Sequence, residues 1–267
     1  MFQSRLTLGK DLKALGIESG DTVMVHAALR SVGAMLNGPD ALIDALLDSV
    51  GPTGTVVAYT DWDALYEDML DDDGRLPDLW KPHIPPFDPA RSRACRDYGA
   101  FAEFLRTRPE ARRSGNPGAS IAAIGAMAEA LTADHSIDYG YGEGSPFARL
   151  VALGGKVAMI GAPLDTMTLL HHSEHLADIP GKRVRRTEVP FATPGGVTWR
   201  RVEEFDTADP VVEGLADTYF GDIVRDYLAS GSGVQGQVGG AATVVVPAAG
   251  IVRFAVEWLQ GRVISNG

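Results

Sequence analysis

The chain has one cysteine in 267 residues, Cys95. A single thiol forms no internal disulfide and supplies no cysteine cluster for zinc. It lies in S-R-A-C-R-D, with no glycine turn or helix start to activate it, and reads as structural. Positive charge is scarce too. Lys and Arg number 24 against 35 Asp and Glu, a formal net charge of −11. That balance argues against a nucleic-acid or anionic-membrane partner and suits a cationic one. No run of apolar residues is long enough for a helical membrane span. The opening M-F-Q-S-R-L-T-L-G-K has no apolar export segment, so a cytoplasmic location is expected. Internal repeats and long linkers are absent. The glycine-rich stretch 231–240 lacks G-x-G-x-x-G and reads as a loop, not a dinucleotide site.

Apolar content is 45%, ample for the core of one domain spanning 1–267. Residues 6–15 have helical spacing and end at Gly16. D-T-V-M-V-H at 21–26 reads as a buried strand, 38–50 as an amphipathic helix, and T-V-V-A-Y at 55–59 as a β-branched strand. This alternation predicts a layered α/β/α fold around a central mixed, largely parallel sheet. Residues 182–206, centred on Trp199, predict a smaller antiparallel β part.

Ligands in open α/β sheets gather at the carboxyl ends of strands. Tyr59, Thr60 and Asp61 lie at one such end. His26, Ala28, Leu29, Arg30, Ser31, Val32 and Gly33 follow another, as a turn whose small residues allow close backbone approach or simply make a tight connection. Residues 61–90 change character. Asp61, Asp63, Glu67 and further aspartates precede a proline-rich piece, with Trp62, Tyr66 and Trp80 interleaved. This reads as an irregular surface excursion: either a solvated acidic loop or a wall that attracts a polycation. Arg112 and Arg113 form the one concentrated basic turn and suit a phosphate.

The densest chemistry is L-D-T-M-T-L-L-H-H-S-E-H-L-A-D-I-P at 164–180, after the apolar strand 155–163. Asp165, Thr166 and Thr168 offer N-caps and Pro180 a stop, so one helix is predicted. His171, Glu174 and His175 then share a face, with His172 turned about 100° away. A histidine beside a carboxylate is a general base with its orienter. A solvated helix face is the plainer alternative, but three histidines with a glutamate just after a strand and glycine turn favour a site.

Ordered segments along most of the chain resemble the aminoglycoside 3-N-acetyltransferase family. They are G-D-T-V-M-V-H-A-A-L-R-S-V-G, G-P-T-G-T-V-V with Y-T-D-W, P-P-F-D-P, A-R-R-S-G-N-P-G-A-S-I-A-A-I-G, G-E-G-S-P and the histidine stretch from G-G-K-V-A-M-I-G-A-P onward. The resemblance implies acetyl transfer from acetyl-CoA to the 3-amine of a 2-deoxystreptamine ring, and with it antibiotic resistance. The fold it implies is an α/β type distinct from the commoner acetyltransferase fold. His171 and Glu174 match the family's H-x-x-E as base and partner. His26, Ala28 to Gly33, Arg113, Ser114 and Ser120 match the parts that hold CoA, and Thr60 falls near the transferred acetyl group. The carboxylates and rings expected around a polyamine are Tyr59, Asp61, Asp63, Tyr66, Glu67, Asp165, Glu204 and Asp206. No resident metal is expected, and the protein is expected to be a monomer or homodimer. The chain departs from the family in having Asn116 where a histidine is usual, and in carrying His172 and His175.

Three other readings remain at this point. H-x-x-E-H is also an inverted zinc-peptidase motif, which needs a third ligand in no recognisable context here. A non-catalytic binder of cationic sugars would leave His171 idle. An acetyltransferase of this fold acting on another amine is the third.

Overall fold

A computed structural model describes the backbone of residues 2–266 and the side chains of residues 2–263. The strands are β1 (Thr22–Ala27), β2 (Thr55–Tyr59), β3 (Arg112–Arg113), β4 (Ile121–Gly125), β5 (Lys156–Ile160), β6 (Val184–Thr193), β7 (Gly196–Phe205), β8 (Val234–Val238) and β9 (Ala241–Pro247). The helices are α1 (Arg5–Ala14), α2 (Leu29–Val32), α3 (Asp40–Val50), α4 (Ala100–Arg106), α5 (Ala128–Thr132), α6 (Pro146–Ala152), α7 (Leu169–Leu176), α8 (Tyr219–Ala229) and α9 (Ala248–Asn266).

Seven strands form one sheet in the order β3-β4-β2-β1-β5-β9-β8, and β6 and β7 form a separate ribbon. Every residue of β1 and β2 is buried. Side chains alternate across a strand, so both faces must be covered. On one face Val23, Val25, Val56 and Ala58 pack with Leu8, Leu12, Leu42, Leu46 and Phe101 from α1, α3 and α4. On the other, Met24, Val57 and Met159 pack with Phe147, Leu169, Leu170, Ile223 and Ile251 from α6 to α9. Each fully buried leucine contributes roughly 1.5–3 kcal/mol of transfer free energy.

The layered α/β architecture is as expected, but the sheet is mostly antiparallel. Parallel pairing is confined to β1 with β2 and β1 with β5. The other pairings, β2–β4, β3–β4, β5–β9 and β8–β9, are antiparallel. Parallel neighbours need a crossover, which α3 supplies between β1 and β2. β8–β9 joins through the two-residue turn 239–240 instead, and β3–β4 through the seven-residue loop 114–120. The stretch 231–240, expected as loop, contains edge strand β8. Its Gln and Gly residues carry no apolar alternation, and Gly239 makes the turn at φ +59°.

The predicted helix over 164–180 is shorter than expected. A 3₁₀ turn occupies Leu164–Thr166, and α7 begins only at Leu169. Thr168 makes no side-chain cap, and the Thr166 hydroxyl donates to the Pro163 carbonyl at 2.7 Å. Threonine hydroxyls that bond local carbonyls in this way compete with helix. The far end turns extended at Ala177, ahead of Pro180.

Residues 61–90 hold only two short 3₁₀ turns, Leu65–Met69 and Lys81–His83, but are not free. The Tyr66 hydroxyl donates to the Glu188 carbonyl, Phe87 bridges to Phe191, and Lys81 Nζ lies 3.0 Å from the Glu188 carboxylate. Gly74 passes so close that an added Cβ would lie 1.8 Å from the Arg186 carbonyl oxygen. Only glycine fits there. The excursion and the ribbon thus form one wall beside the carboxyl end of β2.

Candidate active site

His171 and Glu174 stand one turn apart on α7. His171 Nδ1 is 2.6 Å from Glu174 Oε2. Glu174 is 1% exposed, and its other oxygen, Oε1, accepts the hydroxyl of Tyr219 from the start of α8. Burial, then the neighbouring Glu174 charge, holds the Tyr219 hydroxyl well above its ordinary pKa, so it remains a donor. Both carboxylate oxygens are therefore occupied, and the imidazole is held with Nδ1–H donating. Tyr141 and Phe220 both pack against the ring, each 4.9 Å away between centroids. Nε2 bonds no protein group among the described residues, and the ring lines a cleft.

That cleft has a volume of about 320 Å³ and is also lined by Tyr59, Asp61, Glu67, Tyr98, Tyr141, Arg185, Glu204 and Asp206. Four carboxyl groups thus face one basic side chain. Arg185 Nη2 lies 3.2 Å from Glu67. Asp61 sits at φ +48°, a left-handed conformation uncommon for a non-glycine residue, and burial pushes its carboxyl up to about 8. Burial also raises Glu67. Tyr59 and Tyr141 form the floor with hydroxyls 2.6 Å apart. A polyamine entering here exchanges water for carboxylates and ring faces.

The Tyr139–Gly142 turn wraps the histidine face of α7. His172 Nδ1 donates to the Tyr141 carbonyl at 2.7 Å. His175 does not share a carboxylate with His171. Its Nε2 faces Glu204 of β7 at 2.8 Å. The zinc reading requires His171 and His175 to converge on one ion, whereas each is turned to a different carboxylate. Among the described residues no group of three His, Cys, Asp or Glu is gathered to hold a metal.

Several expected site residues lie elsewhere. Thr60 is fully buried. Its hydroxyl donates to the Ser120 carbonyl at 2.9 Å and accepts from Arg113 Nε at 3.1 Å. Ser120 is equally buried, and its hydroxyl donates to the Asp61 carbonyl. Arg113 spends its donors inside the protein, on Thr60, Ser120, and the carbonyls of Ser92 and Asp61. Burial lowers its pKa to about 10. These three groups brace Asp61 from behind and do not line the cleft. Ser114 is buried against His135 Nδ1 at 2.9 Å. Tyr66 is buried between Trp62 and Trp199, Asp63 pairs with Arg96, and Asp165 sits in the turn before α7. Ala28 to Gly33 form a short helical turn after β1, with Arg30, Ser31 and Gly33 exposed. His26 beneath it is 6% exposed with Nε2 unpartnered among the described residues, and burial lowers its pKa to about 4.

The sequence offered no sign of Tyr219, Tyr98 or Arg185 as site residues. Asn116, noted as a departure, is a turn staple. It donates to the carbonyls of Ser136 and Ile137 and accepts from the N–H groups of Gly118 and Ala119.

The family model for aminoglycoside 3-N-acetyltransferase matches residues 24–260. The chain is 46% identical to aminoglycoside N(3)-acetyltransferase III of Pseudomonas aeruginosa over 254 residues, 94% of this chain and 91% of that one. It is 43% identical to aminoglycoside N(3)-acetyltransferase VII of Streptomyces paromomycinus, covering 97% and 92%. Among solved structures, AAC-IIIb in a binary complex with CoASH superposes with a TM-score of 0.97 at 62% identity, covering 98% of each chain. AAC-VIa bound to sisomicin superposes with a TM-score of 0.91 at 40% identity, covering 98% and 99%. A family match over nearly the whole chain, with relatives this similar, shows that the chain belongs to the aminoglycoside 3-N-acetyltransferase family.

Proposed function

We propose that this protein transfers the acetyl group of acetyl-CoA to the 3-amine of the 2-deoxystreptamine ring of aminoglycosides, and so confers resistance to them. The observation that carries this reading is the His171 ring. Its Nδ1 is fixed by a buried, doubly bonded Glu174, and its Nε2 is open to an acid-lined cleft. An aminoglycoside amine is mostly protonated at neutral pH and is not nucleophilic until it loses a proton. Neutral Nε2 takes that proton, and Glu174 stabilises the imidazolium that forms. The amine nitrogen attacks the thioester carbon. The C–N bond forms and the nitrogen sheds its second proton to solvent, the C–S bond breaks, and the His171 imidazolium returns its proton to the thiolate, which leaves as CoA. No covalent acyl-enzyme is needed, so transfer runs directly in a ternary complex.

Asp61, Glu67, Glu204 and Asp206 are assigned to the remaining ammonium groups of the substrate, and Tyr59 and Tyr141 to its ring faces. The turn Ala28 to Gly33, with Arg30, Ser31 and Gly33 exposed, is assigned to CoA, a ligand that AAC-IIIb holds in its binary complex. Thr60, Ser120 and Arg113 act as supports for Asp61, and Thr60 supplies no hydroxyl to the cleft. The chain is assigned to the cytoplasm, where acetyl-CoA is available, as a monomer or homodimer without a nucleic-acid partner.

The test is a thiol-release assay with acetyl-CoA and gentamicin, tobramycin, neomycin and apramycin, followed by NMR of the product. Acetylation at N3 supports the reading. Acetylation at another amine moves the acceptor, and no thiol release with any of them overturns it.

A further inference from the structure

α7 carries a second imidazole–carboxylate pair, one turn beyond the first. His175 Nε2 lies 2.8 Å from Glu204 Oε1. That same oxygen accepts the Phe205 backbone N–H at 2.7 Å. Glu204 Oε2 has no protein partner among the described residues, and the side chain lines the cleft that His171 faces. The carboxylate is thus held by one edge with the other edge open.

The histidine that holds it is not free to turn. Its side chain is 8% exposed. Phe205 packs on the ring at 4.6 Å, with Tyr139 and Tyr141 each at 6.2 Å. A Cβ on Gly142 would lie 3.4 Å from His175 Nδ1 and 3.1 Å from the Tyr139 carbonyl, so the ring seats directly against a bare backbone. Neither ring nitrogen is available to a reacting amine, because one faces Glu204 and the other faces Gly142. His175 therefore does not duplicate His171.

We propose that His175 is a positioning residue for the cationic substrate. It fixes Glu204 with Oε2 toward the cleft, ready to receive an ammonium other than the one being acetylated. An unrestrained glutamate loses rotamer freedom when it binds a cation, whereas a fixed one has lost it during folding. The pair also ties the end of α7 to β7, so the catalytic helix and the ribbon wall share one anchor. This inference rests on the reading of the cleft as the aminoglycoside site.

The test compares His175→Phe, His175→Gln, Glu204→Gln and the double variant His175→Phe/Glu204→Gln, using steady-state kinetics and thermal melts. Loss of one charge-assisted contact raises the aminoglycoside KM about ten-fold or more in His175→Phe. The kcat and the acetyl-CoA KM stay within about two-fold of the parent. Glutamine donates an N–H from a similar reach, so His175→Gln recovers most of the KM. In the Glu204→Gln background, His175→Phe adds nothing further, since its effect runs through that carboxylate. A fall in kcat with unchanged KM, or an equal effect of His175→Phe with and without Glu204, overturns the inference. If His175→Phe fails to fold, His175→Leu takes its place: a raised aminoglycoside KM that His175→Gln recovers supports the inference, and an unchanged KM in His175→Leu or in Glu204→Gln overturns it. Wild-type turnover with unchanged KM in every variant overturns the inference alone. No wild-type turnover overturns the functional reading and the inference with it.

Discussion

Tyr219 donates its hydroxyl to the Glu174 oxygen that His171 leaves free, and so completes a relay between two helices that the sequence keeps far apart. Glu174 is almost wholly buried, and a buried carboxylate short of a donor is costly. Tyr219→Phe is therefore expected to lower stability by about 1–3 kcal/mol. It also loosens the orientation of His171, so kcat falls while the aminoglycoside KM holds. Urea unfolding paired with steady-state kinetics checks both, and unchanged stability would show that Glu174 does not depend on this bond.

Asp61 carries a pH-dependent prediction. Burial pushes its carboxyl up to about 8, so at pH 7 it is mostly protonated in the empty cleft. A bound ammonium favours the ionised form and pulls the pKa down. Aminoglycoside binding at pH 7 should then release a proton from this group, and affinity should rise as pH approaches 8. Calorimetry in buffers of different ionisation enthalpy measures the release. Asp61→Asn should release fewer protons than the parent, and equal release would rule Asp61 out.

Asp61 also bears on stability. Its folded pKa lies above the ordinary aspartate value, so the folded state binds the extra proton between about 4 and 8. Stability from this group accordingly declines as pH rises through that window. Asp61→Asn should gain stability relative to the parent at pH 8 and not at pH 4, as read from melting temperatures.

Two buried histidines work in the opposite direction. Burial lowers His26 to about 4 and His135 to about 4. His135 accepts from the Ser114 hydroxyl at Nδ1 and donates to the Gly140 carbonyl at 2.7 Å, so both nitrogens are used in the neutral form. Between about 6.5 and 4 the unfolded chain binds these protons and the folded chain does not. Stability should fall with pH across that window, by about 1.4 kcal/mol per unit for each group. Denaturation at pH 7 and pH 5 measures the slope, and His26→Leu should flatten it.

Much of the architecture is legible in the sequence because it depends on local pattern. β1, β2 and β5 are short apolar runs closed by glycine or turn residues, and their order with the helices gives the layered class. The His171–Glu174 pair is legible for the same reason, since helical spacing alone places residues three apart on one face. What escapes the sequence depends on long-range placement. Nothing in T-Y-F-G-D marks Tyr219 as the partner of Glu174. The turn of His175 away from His171 follows from where β7 puts Glu204. Thr60 stands at a strand end, as expected of a site residue, but Ser120 just ahead of β4 and Arg113 of β3 close over its hydroxyl. The antiparallel pairing of β4 with β2 and of β9 with β5 is hidden because strand direction is set by the path of the connections, not by the strand's own residues.

The most direct measurement is the turnover of His171→Ala beside its aminoglycoside affinity. With Nε2 of His171 as the base, kcat should fall by about 10²–10⁴-fold. Calorimetric binding of the aminoglycoside should stay close to that of the parent, because the carboxylates of the cleft are untouched. Parent-like turnover in His171→Ala would contradict the assignment of the base.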